Sequence, residues 1–132
     1  MATILLVEDH EDVRDMLSRR LRRQGFDVSI AVDGRQAVEA CASEPPDLVL
    51  LDLNLPDTDG WTVARTLKAD PRCAEIPIIA LTAYAAAEDR AEALRAGCDD
   101  HHPKPIDFSR LVSQIEAALA PVPQRADSRT PE

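Results

Sequence analysis

Short apolar runs alternate along this chain with stretches whose apolar residues recur at helical spacing, and few folds accommodate that alternation. Residues 4–7, 48–51 and 76–81 read as buried strands, and Phe26, Val28 and Ile30 alternate as a further one. Between them, residues 11–24 carry Val13, Leu17 and Leu21 on one helical face. Glu11 and Asp12 open that helix and Arg19, Arg20, Arg22 and Arg23 close it, as the helix dipole favours; Gly25 is the expected stop. Weaker helices are expected at 34–42, ended by Pro45-Pro46, and after Gly60, with Val63, Ala64 and Leu67 inward. An Ala-rich helix is expected at 85–96 before Gly97, then a short polar strand near 100–102. Asp107 caps a last helix that lines up Phe108, Leu111, Val112, Ile115 and Leu119. A strand and helix repeated five times implies an α/β fold, a doubly wound parallel five-stranded sheet. One domain is expected over residues 1–120, and 121–132, proline-rich and poor in apolar residues, reads as a disordered tail or a truncated linker.

The strand ends carry the chemistry. The run 4–7 finishes in Glu8-Asp9 and the run 48–51 finishes in Asp52. Open parallel sheets place their sites at the carboxyl ends of strands beside a topological switch point. In the flavodoxin-like strand order 2-1-3-4-5, Glu8, Asp9 and Asp52 converge, with Thr82 and Lys104 delivered to the same edge. Each carboxylate pair at ~5 Å repels by about 3 kcal/mol at an effective dielectric near 20. A hard divalent cation such as magnesium, which takes oxygen ligands, is the natural counterweight.

Composition bounds the rest. The formal net charge of -9 argues against direct DNA binding and against an anionic membrane surface. No apolar run approaches the ~20 residues of a membrane span, and Met1 abuts the first strand, leaving no room for a signal peptide. Cys41, Cys73 and Cys98 are widely spaced and read as small buried hydrophobes of a reducing cytoplasm, the expected location. His10 reads as a surface residue, because hard oxygen sites seldom recruit imidazole. His101 and His102, adjacent on a strand, point to opposite faces. Asp57 and Asp59 read as turn and helix caps, and Trp61 as a half-buried helix residue.

Together, Leu5-Leu6-Val7-Glu8-Asp9, Leu51-Asp52-Leu53-Asn54-Leu55-Pro56, Asp59-Gly60, Leu81-Thr82-Ala83, Ala96-Gly97 and Lys104-Pro105 resemble the receiver domain of two-component response regulators, single-domain chemotaxis regulators included. The resemblance runs from Thr3 to about Leu119. It implies that Asp52 accepts a phosphoryl group from a sensor histidine kinase or a histidine phosphotransfer protein. It implies magnesium, with manganese able to substitute, held by Glu8, Asp9, Asp52 and the backbone carbonyl of Asn54. Lys104 and Thr82 would contact the phosphoryl oxygens, and the Lys104-Pro105 bond would be cis. Asn54 and Tyr84 occupy positions that border the path of the attacking water and tune dephosphorylation.

The chain would then be a switch and not an enzyme, apart from its own phosphorylation and dephosphorylation. Phosphorylation would reshape the face of the fourth helix, fifth strand and last helix for a downstream protein or a second copy. At the usual aromatic switch position this chain has His101, paired in function with Thr82. Alternatives are a receiver fragment of a hybrid histidine kinase or longer regulator, and an aspartyl-phosphate hydrolase. Against the hydrolase, Asn54 stands where such enzymes carry a second acid. A flavin or nucleotide carrier is disfavoured because Glu8-Asp9 repels anions where phosphate would bind.

Overall fold

The computed structural model describes residues 2–82, 95 and 97–120. All but residue 95 of the helix expected at 85–96, the position of Tyr84 and the tail 121–132 lie outside the described residues. The elements in chain order are β1 (Thr3–Val7), α1 (Glu11–Arg23), β2 (Asp27–Ala31), α2 (Gly34–Ser43), β3 (Leu48–Asp52), α3 (Gly60–Ala69), β4 (Ile78–Thr82), β5 (Asp100–Pro103) and α4 (Phe108–Ala118). The five strands pair in parallel in the order β2-β1-β3-β4-β5.

The central strands β3 and β4 are buried throughout, which is why they read as continuous apolar runs and not as alternation. Their residues feed two cores. Leu5, Val7, Val49, Leu51, Ile78 and Ala80 face α2 and α3, while Ile4, Leu6, Leu48, Leu50, Ile79 and Leu81 face α1 and α4. Trp61 is half-buried against the first core. Cys41, Cys73 and Cys98 are free and buried. No helix among the described residues is long and apolar enough to cross a membrane.

Several local expectations shift. Ile30 is exposed: β2 is an edge strand, and its partner face is covered by α1 only as far as Phe26 and Val28. Ile76 precedes β4, and Val112 is half-buried but outside the apolar cluster beneath α4. The arginines that close α1 also make contacts beyond the helix. Arg20 stacks over the Phe108 ring, 4.3 Å to its centroid, and Arg22 donates to the Val28 carbonyl at 3.2 Å. Gly25 ends α1 at φ 99°, a left-handed conformation that glycine adopts without penalty.

Helix starts follow the carboxylates. Asp33, Asp59 and Asp107 each accept a hydrogen bond from the backbone N–H three residues on. Asp57 departs from its expected part as a local turn cap. Its carboxylate reaches across 23 residues of sequence to the amino end of α2.

Candidate functional site

Val7 lies opposite Leu51 in the β1/β3 register, so the next residues, Glu8 and Asp52, leave the sheet side by side. One carboxylate oxygen from each of Glu8, Asp9 and Asp52 lies within 4.8 Å of the others. Lys104 brings its Nζ to 3.3 Å from Asp52 Oδ1 and 3.9 Å from Glu8 Oε1. The Asn54 N–H donates to Asp52 Oδ1 at 3.1 Å, and the His10 N–H donates to Glu8 Oε2 at 3.2 Å. His10 itself is exposed.

The acids are not equivalent. Glu8 and Asp52 are 1% and 2% exposed, whereas Asp9 is open to solvent. Burial pushes the Glu8 carboxyl up to about 7, and its hydrogen bond and charge interaction with Asp52 push the same way. Lys104 and the His10 N–H act against that rise. The repulsion among the three acids therefore falls chiefly on Glu8, since water already screens Asp9.

Glu8 Oε1 is buried and accepts no hydrogen bond among the described residues. A buried lone carboxylate oxygen facing two other carboxylates is what a small, hard cation would satisfy, and the all-oxygen donor set fits magnesium. Arg14 steadies the turn from behind, donating to the carbonyls of Glu8 (3.2 Å) and Asp9 (3.3 Å). Sequence reasoning missed Arg14. The signal was a cation one helical turn past an acidic strand end.

The other predicted groups arrive at the same edge. Thr82 is buried at the end of β4, opposite Pro103. The Lys104 N–H donates to the Thr82 carbonyl at 2.7 Å, and the Lys104-Pro105 bond is cis as expected. His101 pairs with Ala80, so by strand alternation it shares a sheet face with Thr82.

His102 points the other way and is buried. Its Nε2 accepts the Asp107 N–H at 3.1 Å, which leaves Nδ1 to donate to Gln114 Oε1 at 2.7 Å. Gln114 Nε2 in turn donates to Asp100 Oδ2 and to the His101 carbonyl, each at 2.8 Å. This network ties β5 to α4 and was not foreseen. Its trace in the sequence is a glutamine set into the inward stripe between Leu111 and Ile115. Gln114→Leu should leave the His102 N–H without its partner and cost about 1–3 kcal/mol of stability. Chemical denaturation should show it, and an unchanged midpoint would contradict the network.

The model of the response regulator receiver domain matches residues 4–116. The chain belongs to that family. The receiver domain is 37% identical over 119 residues to the DNA-binding dual master transcriptional regulator RpaA of Synechocystis, a match covering 90% of this chain and 49% of the relative. The chain thus spans about half the length of this and other curated relatives that it matches. Among solved structures, a response regulator from Chloroflexus aurantiacus superposes with a TM-score of 0.87 at 31% identity, covering 91% of this chain and 98% of the other. The receiver domain of the Pseudomonas aeruginosa sensor histidine kinase PA1611, which holds a magnesium ion in its active-site cleft, gives 0.83 at 35% identity, with 89% and 97% covered. The chain therefore carries a receiver domain of the response-regulator family, with the carboxylates of Glu8, Asp9 and Asp52 clustered at the carboxyl edge of its sheet.

Proposed function

We propose that Asp52 is the phosphoacceptor, taking a phosphoryl group from a phosphohistidine on a sensor kinase or phosphotransfer protein. The observation that carries this reading is the convergence of Glu8, Asp9 and Asp52 within 4.8 Å, with Lys104 at 3.3 Å from Asp52. Glu8, Asp9, Asp52 and the Asn54 carbonyl would hold magnesium, and manganese is expected to replace it. The bound ion would supply charge neutralisation at the transferring oxygens. Asp52 Oδ attacks phosphorus while the P–N bond to the donor imidazole breaks, leaving that histidine neutral once it keeps or gains one proton. Lys104 places a cation against the phosphoryl oxygens, and the Thr82 hydroxyl donates to one of them. The test is incubation with acetyl phosphate: one phosphoryl group per chain should be incorporated with magnesium and none with excess chelator. Equal incorporation in both would overturn the reading.

Dephosphorylation is slow where the attacking water is obstructed. Tyr84 and Asn54 stand at the positions that flank that water in this family. Tyr84→Ala should shorten the aspartyl-phosphate lifetime, and an unchanged lifetime would refute the assignment.

Output is proposed to run through Thr82 and His101, which share a sheet face, to the surface that includes β5 and α4. A neutral imidazole enters an apolar slot far more cheaply than a charged one. Phosphorylation-dependent partner binding or dimerisation should thus weaken between pH 8 and pH 6 in the wild type and not in His101→Phe. Matching pH profiles would remove His101 from the switch.

The net charge of -9 favours a protein as the direct downstream target of this chain. A second reading, a receiver belonging to a longer regulator or hybrid kinase, draws on the half-length match to the curated relatives. The mass of the native protein in cell extract separates the two.

A further inference from the structure

We propose that Asp57 is a positioning residue: it latches the β3–α3 loop to the amino end of α2 and so fixes the Asn54 carbonyl at the metal edge. The inference rests on the reading of Asn54 as a backbone ligand. Asp57 Oδ1 accepts the Gly34 N–H at 2.8 Å and Oδ2 accepts the Arg35 N–H at 3.1 Å. Asp33 Oδ1 takes the next one, from Gln36, at 2.8 Å. Successive donors of the first turn of α2 are thus shared between its own cap and a carboxylate from a distant loop. The helix dipole favours both anions, and the Gly34 hydrogen bond leads the causes that hold the Asp57 carboxyl below its usual range.

Packing reinforces the latch. A Cβ on Gly34 would sit 2.5 Å from Thr58 Cγ2 and 2.9 Å from Val63 Cγ2, so a side chain there would force Thr58 of the loop and Val63 of α3 to shift. At its base the loop is pinned elsewhere. The Gly60 N–H donates to the Leu53 carbonyl at 3.0 Å, and Asn54 bridges to Asp59. Between those anchors runs an open groove of about 440 Å³ lined by Asp9, Asn54, Asp57 and Asp59, among others. With both oxygens engaged by amides, Asp57 is committed to the latch and not to the cation.

A carbonyl ligand has no rotamers of its own, so its aim is the aim of the loop. Magnesium demands near-ideal octahedral geometry, which makes its affinity sensitive to that aim. Groups that orient ligands typically alter metal affinity 10–100-fold when removed.

The experiment is calorimetric titration of magnesium into the whole chain, with thermal denaturation alongside. Asp57→Ala should raise the magnesium Kd roughly tenfold. Asp33→Ala removes a cap from the same helix without touching the loop, so it should lower the Tm and leave the Kd within about twofold of wild type. Gly34→Ala, which displaces the loop while keeping the Asp57 carboxylate, should weaken magnesium as Asp57→Ala does and covers the case in which Asp57→Ala does not fold. An unchanged Kd in the folded loop variants overturns the proposal, as does an equal rise in Asp33→Ala. A wild-type chain that binds no magnesium would instead overturn the metal reading under it.

Discussion

Metal-free Glu8→Gln is expected to be more stable than the wild type at pH 8, with the gap closing as pH falls toward 4.5. The cause is the buried Glu8 carboxylate, held beside Asp52 with one oxygen that accepts no hydrogen bond among the described residues and has only the Lys104 ammonium, 3.9 Å away, as its counter-charge. Its folded value of about 7 lies above the ordinary 4.5. Between those two values the folded chain binds a proton that the unfolded chain does not. Stability of the metal-free protein therefore falls as pH rises from 4.5 to 7, and the full loss is present above 7. A difference of that size corresponds to about 3 kcal/mol, the upper end of what Glu8→Gln should recover. Magnesium reverses the sign. In the proposed site it would take the ionised carboxylate, so binding near pH 6 should release a proton, and affinity should rise up to about tenfold per pH unit until 7. Denaturation curves from pH 4.5 to 8 test the first part, and titrations in buffers of different ionisation enthalpy test the second. Equal stability of the two proteins at pH 8 would contradict this account.

Lys104→Ala should slow phosphorylation of Asp52 by about 10²–10³, the usual consequence of removing one donor aimed at developing charge. Saturating magnesium should not restore the rate, because in the proposed transfer the lysine acts on the phosphoryl group and not on the metal. Metal-free stability should fall as well, since Asp52 and Glu8 then face one another without their cation at 3.3 and 3.9 Å. Lys104→Arg should recover much of the stability and less of the rate, because a planar fork does not replace a compact ammonium. Stopped-flow phosphorylation by acetyl phosphate at several magnesium concentrations separates the two effects. A rate within twofold of wild type would remove Lys104 from the reaction.

The sequence made the sheet and its acidic edge legible for a local reason. Buried parallel strands must be apolar along their length, so the acids at 8, 9 and 52 stand out where each strand stops. Helix caps at Asp59 and Asp107 were legible because a cap acts within three residues. What escaped depends on partners distant in sequence or on depth. The Asp57 latch joins residues 23 apart, and nothing periodic announces it. The difference between Glu8 and Asp9 is one of burial, 1% exposed against an open side chain, which two adjacent acids do not reveal in sequence. Ile30 carries a strand-like alternation that the edge position of β2 leaves uncovered. His102 reads as polar in sequence and is buried because Gln114 and the Asp107 N–H satisfy both ring nitrogens.

The most direct test of the central claim is the intact mass of wild type and Asp52→Asn after identical treatment with acetyl phosphate and magnesium. The wild type should gain one phosphoryl group that hydroxylamine removes, and Asp52→Asn should gain none while still folding. Full labelling of Asp52→Asn, or a wild-type adduct resistant to hydroxylamine, would contradict the assignment of Asp52 as the phosphoacceptor.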